Sequence, residues 1–216
     1  MTVSTMLSLL SEGFVTSLLI FVLTLLFSMP LGLAVMFGRR SRLTPLRGFI
    51  KAYISIMRGT PLMLQLMVVF YGPKLLLGVT VPGNWRFTAV IVAFVINYAA
   101  YFAEIFRSGI QGIPNGQREA ARVLGYNRTQ TFFKIIFPQM CKRVLPPVTN
   151  EVITLVKDTS LAFVLAYTEM FTIAKQVAAA QANIVPLFIA GVFYYIFNLV
   201  VAGIMGKIEQ HMDYYQ

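Results

Sequence analysis

The chain has 216 residues, of which 57% are hydrophobic and only 12% charged, with a mean hydropathy of +0.73. That balance excludes an ordinary soluble domain and points to a polytopic membrane protein. The net charge of +10 would suit a nucleic-acid binder, but its distribution excludes one.

A membrane-spanning helix needs about 20 mostly apolar residues to cross a hydrocarbon core about 30 Å thick. Five stretches qualify, at 13–37, 52–71, 88–106, 147–167 and 186–205. Arg39, Arg40, Arg42, Arg47 and Lys51 lie between the first and second. Arg107, Arg118, Arg122, Arg128, Lys134, Lys142 and Arg143 lie between the third and fourth. The loops of the other side carry only Lys74, Arg86 and Lys175. Because Lys and Arg collect in cytoplasmic loops, the N-terminus is expected outside and the C-terminus, with Lys207, inside. The uncharged start, the long apolar run and the Arg39-Arg40 pair that follows it read as a first span rather than a cleavable signal. A single cysteine, Cys141, excludes an intrachain disulfide and reads as an inert small residue. His211, the single histidine, reads as a solvated residue of a polar tail.

Beyond the first span, Thr44-Pro45 is expected to cap and open an amphipathic helix, with Leu46, Phe49, Ile50, Tyr53 and Ile54 at helical spacing. It runs into the second span, where Arg58-Gly59-Thr60-Pro61 predicts a break. Such a break either kinks the helix near the interface while Arg58 snorkels to water, or lines a pathway. Gly72-Pro73 and Val81-Pro82-Gly83-Asn84 are turn signals, with Trp85 placed as an interface anchor. In the third span Asn97, Tyr101, Glu104 and Ser108 share a helix face, and Arg107 is spaced to pair with Glu104.

Between the third and fourth spans lies a polar island. Ile113-Pro114-Asn115-Gly116 ends the descent, and 117–124 reads as a short helix that Gly125 stops. Asn127 or Thr129 is expected to cap a second helix carrying Phe132, Phe133, Ile136 and Phe137, and Pro138 to turn the chain back to the bilayer. Pro146-Pro147 then opens the fourth span, which holds Asn150, Glu151, Thr154, Lys157, Asp158 and Ser160. Buried ionisable groups cost roughly 2.5–3.5 kcal/mol each near the bilayer centre and so mark a pathway or an internal pair. Glu151 and Asp158, seven residues apart with Thr154 between, share one face about 10 Å apart along the axis. They can hold a substrate ammonium, or bond to Lys157, Arg58 or broken backbone. The segment 169–182 reads as an outer helix or connector, and Asn198 as an interhelical hydrogen-bonding residue.

Glu119-Ala120-Ala121, then Gly125, then Ile135-Ile136-Phe137-Pro138, resembles the EAA loop of ABC-importer permeases, with Phe137 at the usual leucine. Three further stretches, Arg58–Leu66, 97–117 and Lys157-Asp158-Thr159-Ser160-Leu161, resemble the polar amino acid permeases of that family. The resemblance implies an all-α integral membrane protein of the type I ABC-importer permease fold. One permease domain, 1–216, would hold five transmembrane helices and a cytoplasmic coupling helix within the loop 107–143. It implies a substrate pathway drawing on Asn97, Glu151, Thr154, Asp158, Ser160, Thr60, Gln65 and Glu104. ATPase coupling would fall to Arg118, Glu119, Ala120, Ala121, Gly125 and Pro138. The implied partners are two ABC ATPase subunits, a second permease copy or homologous permease, an extracytoplasmic solute-binding protein and an amino acid substrate. ATP and Mg would be bound by the ATPase, with no cofactor, metal or catalytic residue on this chain, and the chain has no Gly-x-x-x-x-Gly-Lys-Ser/Thr. The location implied is the bacterial cytoplasmic membrane. The alternative class is an ion-gradient-driven amino acid carrier or channel with Glu151 and Asp158 as cation sites.

Overall fold

A computed structural model describes residues 3–212 as an all-helical bundle. Met1 and Thr2, the start of the uncharged N-terminal stretch, lie outside the described residues. Helix α1 spans Val3–Arg39, α4 Trp85–Gln111 and α9 Val185–Met212, and each is long and apolar enough to cross a membrane alone. Two bent helix pairs can supply two more crossings. In the first, α2 (Thr44–Gly59) and α3 (Leu62–Leu77) meet at 115°. In the second, the helical run Arg128–Leu165 meets α8 (Met170–Gln181) at 57°.

The central element is α4, whose Ala89, Ala93, Ala99, Ala100 and Ala103 are fully buried. These small side chains let α1 come close. At Gly32 an added Cβ would lie 2.8 Å from the Phe102 Cβ and 3.0 Å from the Ala99 carbonyl. Glycine therefore sits where α1 and α4 touch through backbone. At the basic end α4 also packs closely on α7 (Phe137–Asp158), since a Cβ on Gly109 would fall 2.2 Å from the Val144 side chain. Along α9 Phe188, Tyr195, Leu199 and Ile204 are exposed, leaving an apolar outer surface of the kind a spanning helix turns to lipid.

The break expected at Arg58–Pro61 is present and divides the second stretch, 52–71, between two helices that meet at a sharp bend. Several other expectations drawn from proline and glycine change. Leu43, not Thr44, is the N-cap of α2, and Pro45 lies inside its first turn. Gly72-Pro73 makes no turn. Pro73 is inside α3, and the helix ends at Gly78 in the left-handed region (φ 64°) with its N–H returned to the Pro73 carbonyl. Pro146 and Pro147 do not open the fourth span; both lie within α7, which begins at Phe137. Nor does Pro138 turn the chain. It lacks the N–H that the Lys134 carbonyl would receive, and a π turn at Phe132–Ile136 absorbs the mismatch so that the helix runs on. Past Asp158 the helix tightens into a 3₁₀ segment, Thr159–Leu165, which ends at Ala166 in the left-handed region.

Candidate functional site

Pro61 has no N–H, so the carbonyl of Met57, one turn earlier, loses its helical donor. Buried amides replace it. Gln65 Nε2 reaches the carbonyls of Met57 at 3.0 Å and Thr60 at 3.1 Å, and the Thr60 hydroxyl at 2.8 Å. From α4, Asn97 Nδ2 donates to Gln65 Oε1 at 2.9 Å and to the same Met57 carbonyl at 3.1 Å. Thr60, Gln65 and Asn97, expected along the pathway, thus form one network that fixes the break. Gln65 and Asn97 are buried within the chain, whereas Thr60 is exposed.

Charged groups gather beside this break. On α7, Asp158 accepts a hydrogen bond of 2.7 Å from the buried Tyr98 hydroxyl of α4. Glu151, half-buried one face-repeat earlier, lies within electrostatic reach of both Asp158 and Arg58. The guanidinium of Arg58 stands 5.3 Å over the Tyr101 ring. Thr154 is exposed between the acids, its hydroxyl returned to the Asn150 carbonyl at 2.9 Å. Ser160 returns its own hydroxyl to the Lys157 carbonyl at 2.8 Å. The two carboxylates and the guanidinium are brought together, with Thr154 on the same helix as the acids; Thr60 belongs to the break, and Ser160 is locally satisfied.

Glu104 stands apart from that cluster. Its two oxygens are taken by Arg39, from the end of α1, and by Arg107 at 2.7 Å, the partner expected from spacing. An acid held between two guanidiniums ties α1 to α4 at the basic end.

Below it sits the polar island. Helix α5 covers Gly116–Val123, and Gly125, at φ 79°, follows its cap. The N–H of Gly125 donates to the Arg122 carbonyl at 3.0 Å and that of Tyr126 to the Ala121 carbonyl at 3.0 Å, the paired pattern of a Schellman stop. Asn127 then starts α6 (Arg128–Thr131) with a reciprocal capping box to Gln130. The two alanines part company. Ala121 is fully buried against the bundle, so it offers nothing to a partner, while Ala120 and Glu119 face out. Val123 and Leu124, 88% and 72% exposed, complete that outward face. Neither stands out in the sequence as a contact residue, although their position, four residues after Glu119 and Ala120, carries the signal. Arg118 turns to the other face and donates to Asn115 Oδ1 at 2.9 Å. Of the expected apolar set only Phe133 is well exposed; Ile136 is in the core, and Phe132 and Phe137 pack partly against it. Arg143 of α7 donates to the Gly112 carbonyl, and Gln139 reaches Gln117, so the island is fastened to α7 as well as continuous with α4. Cys141 lies half-buried on α7.

A second polar centre gives no sign of itself in the sequence. Glu169, fully buried, is the N-cap of α8. Its oxygens accept from the Phe171 and Thr172 N–H groups at 2.7 Å each, the Thr172 hydroxyl at 2.8 Å and the Tyr194 hydroxyl at 3.1 Å. The Ser17 hydroxyl of α1 lies 3.4 Å away. The segment 169–182 is therefore more than a connector: α8 is anchored to α1 and α9. Asn198 does not make the expected interhelical bond through Oδ1, which is buried without a partner among the described residues.

This is the architecture of a membrane permease: apolar spans around a close-packed α4, with a small polar helix presented at the basic end. Residues 28–214 match the model of the family described as "Binding-protein-dependent transport system inner membrane component", and the chain belongs to that family, the permease subunits of ABC importers. It is 36% identical over 93% of its length to the arginine transport system permease protein ArtQ of Bacillus subtilis (strain 168), covering 91% of that protein. To the L-cystine transport system permease protein TcyB of the same organism it is 34% identical, over 95% of this chain and 87% of that one. Among solved structures, an amino acid ABC transporter crystallised with histidines superposes with a TM-score of 0.87 at 29% identity, covering 98% of this chain and 100% of that one. The methionine ABC transporter MetNI, in an inward-facing form, shares the fold with a TM-score of 0.77 at 19% identity, over 98% and 99% of the two chains.

Proposed function

We infer that this chain builds the membrane path of an importer that moves a polar amino acid into the cytoplasm by alternating access. The observation that carries the mechanism is the placement of α5. Its inner face is locked by Ala121, its outer face offers Glu119, Ala120, Val123 and Leu124, and its two ends lead to α4 and α7. Those two helices bring Tyr98 and Asp158 together. An ATPase subunit seated on the outer face therefore moves the helices that carry the charged cluster. An ion-gradient carrier has no use for such a face.

In this reading residues 1–216 form one permease domain in the bacterial cytoplasmic membrane, with five crossings, the two bent pairs counting as one each. The basic end faces the cytoplasm, placing the N-terminus outside and the C-terminus inside. Two such permeases, identical or homologous, pair around the path. Two ATPases bind ATP and Mg, and a solute-binding protein delivers substrate from outside. Arg58 suits an amino acid carboxylate and Glu151 with Asp158 its ammonium, so the exposed side of the α2–α3 break is the substrate's side. The arginine and cystine names of the relatives agree with a polar amino acid as cargo.

The test is uptake of a panel of amino acids into vesicles holding the complete transporter. Gly125→Asp puts a side chain where φ is 79°, at a cost of about 1–2 kcal/mol, and Glu119→Lys reverses charge on the docking face. Both should reduce ATP-driven uptake to background while the protein stays inserted. Normal uptake in both variants would overturn the coupling assignment.

A further inference from the structure

The inner face of α5 has a second feature. Successive residues of a helix are separated by about 100°, so Arg118 lies about 60° round the helix from buried Ala121, and Arg122, one turn on, stands above Arg118 on the flank of that side. There they join Arg40, just past α1, and Arg128 of α6 around a cavity of about 410 Å³, within the range of small-ligand pockets. Four guanidiniums line it and no carboxylate does. Among the described residues the ion pairs formed by arginine are those of Arg39 and Arg107 with Glu104, and none of the four is paired with a carboxylate of those residues. Partial burial of the Arg40 head, and then the charge of Arg118, hold Arg40 below the usual guanidinium range. An anion in the cavity relieves that repulsion. The floor is apolar, made by Ile110, Phe132 and Ile136, with Phe37 exposed at the edge where α1 leaves the membrane.

We propose that this cavity is a binding site for the head group of an anionic phospholipid of the cytoplasmic leaflet, whose first acyl carbons lie along Phe37 and Phe132. A basic pocket at a helix end that also has an apolar wall matches an amphiphile with a phosphate head. An acidic side chain of the ATPase would meet the outward face of α5, not this one. Occupancy by lipid links the end of α1 to the inner face of the coupling helix, so the composition of the leaflet biases the position of α5. The depth of the pocket in the bilayer rests on the orientation inferred above; the binding itself does not.

The experiment uses the complete transporter in nanodiscs of phosphatidylcholine containing a small fraction of phosphatidylglycerol, at about 0.5 M salt, where the Debye length is roughly 4 Å and surface attraction is screened. Lipid retained through solubilisation and purification is counted by mass spectrometry. Both leaflets of a nanodisc carry the same lipid, so a wrong orientation would not mimic a negative result. The wild type should retain phosphatidylglycerol over phosphatidylcholine. Arg40→Gln with Arg128→Gln should lower retention by about 25-fold, about fivefold per arginine. Arg40→Lys with Arg128→Lys should keep most of it, which separates lost charge from lost folding. Arg42→Gln with Arg47→Gln, two exposed arginines outside the pocket, should change it by less than about twofold at this salt. Equal loss in the two Gln pairs would reduce the effect to surface charge and overturn the proposal. Displacement of the lipid by millimolar inorganic phosphate would assign the site to a free anion instead. Retention only when the ATPase is omitted would assign it to an acidic group of that subunit. Either outcome removes the lipid assignment.

Discussion

The two bends of the bundle solve opposite problems. At the α2–α3 break the exposed backbone groups are carbonyls, orphaned because Pro61 has no N–H, and the sequence supplies the donors of Gln65 and Asn97. At the start of α8 the exposed groups are N–H donors, and the sequence supplies a carboxylate, Glu169. A buried neutral amide loses far less solvation than a buried carboxylate, which is tolerated only when surrounded by donors, and Glu169 is. Polar residues inside this membrane protein thus divide into those that complete backbone and those left unclaimed. Glu151 and Arg58 fall in the second group, beside the first break but with no backbone to repair.

The largest stability change should come from Glu169→Leu, which strips the cap from α8 and orphans Thr172, Tyr194 and two backbone N–H groups. A loss of about 3–4 kcal/mol corresponds to a melting temperature lower by about 10 °C for a chain of this size. Gln65→Leu should cost less, about 5 °C, because Asn97 still reaches the Met57 carbonyl. If the two losses were equal, charge would not distinguish the breaks. Smallest of all should be Glu151→Gln with Asp158→Asn, about 2 °C or less in thermal unfolding. That same pair should nevertheless lower uptake and substrate-stimulated ATP hydrolysis at least about tenfold, as the loss of charged hydrogen bonds to a ligand would. Unchanged transport would move both acids into the structural group and end their assignment to the path.

The apolar spans are legible in the sequence, because a run of about 20 apolar residues matches the thickness of a bilayer and little else in a folded protein. So is the stop at Gly125, where a glycine after a short helix has one dominant use. Direction and depth are hidden. Pro61 announces a break, but the 115° angle depends on amides arriving from α3 and from α4. Pro73, Pro138, Pro146 and Pro147 look like boundaries by the same rule and are all inside helices, since a spanning helix can spare one hydrogen bond when neighbours pack around it. Ala120 and Ala121 are identical in sequence and opposite in exposure, which only the packing of α5 decides. Glu169 is hard to read because glutamate is an uncommon cap and its partner Ser17 lies 152 residues earlier.

The π turn at Phe132–Ile136 has a geometric consequence for all that follows it. One residue inserted into an α-helical ladder advances the remainder by about 100° of azimuth unless a wide turn absorbs it. The compass bearing of Glu151 and Asp158, relative to α5, is therefore set by how the stretch between them is wound. Winding 132–136 as plain α-helix with every residue kept would swing the acids of α7 about a quarter-turn away from Tyr98 and Arg58, whereas deleting the one extra residue would close the wide turn and leave their bearing nearly unchanged. The alignment of the charged face with the polar island is held in the local winding of one turn.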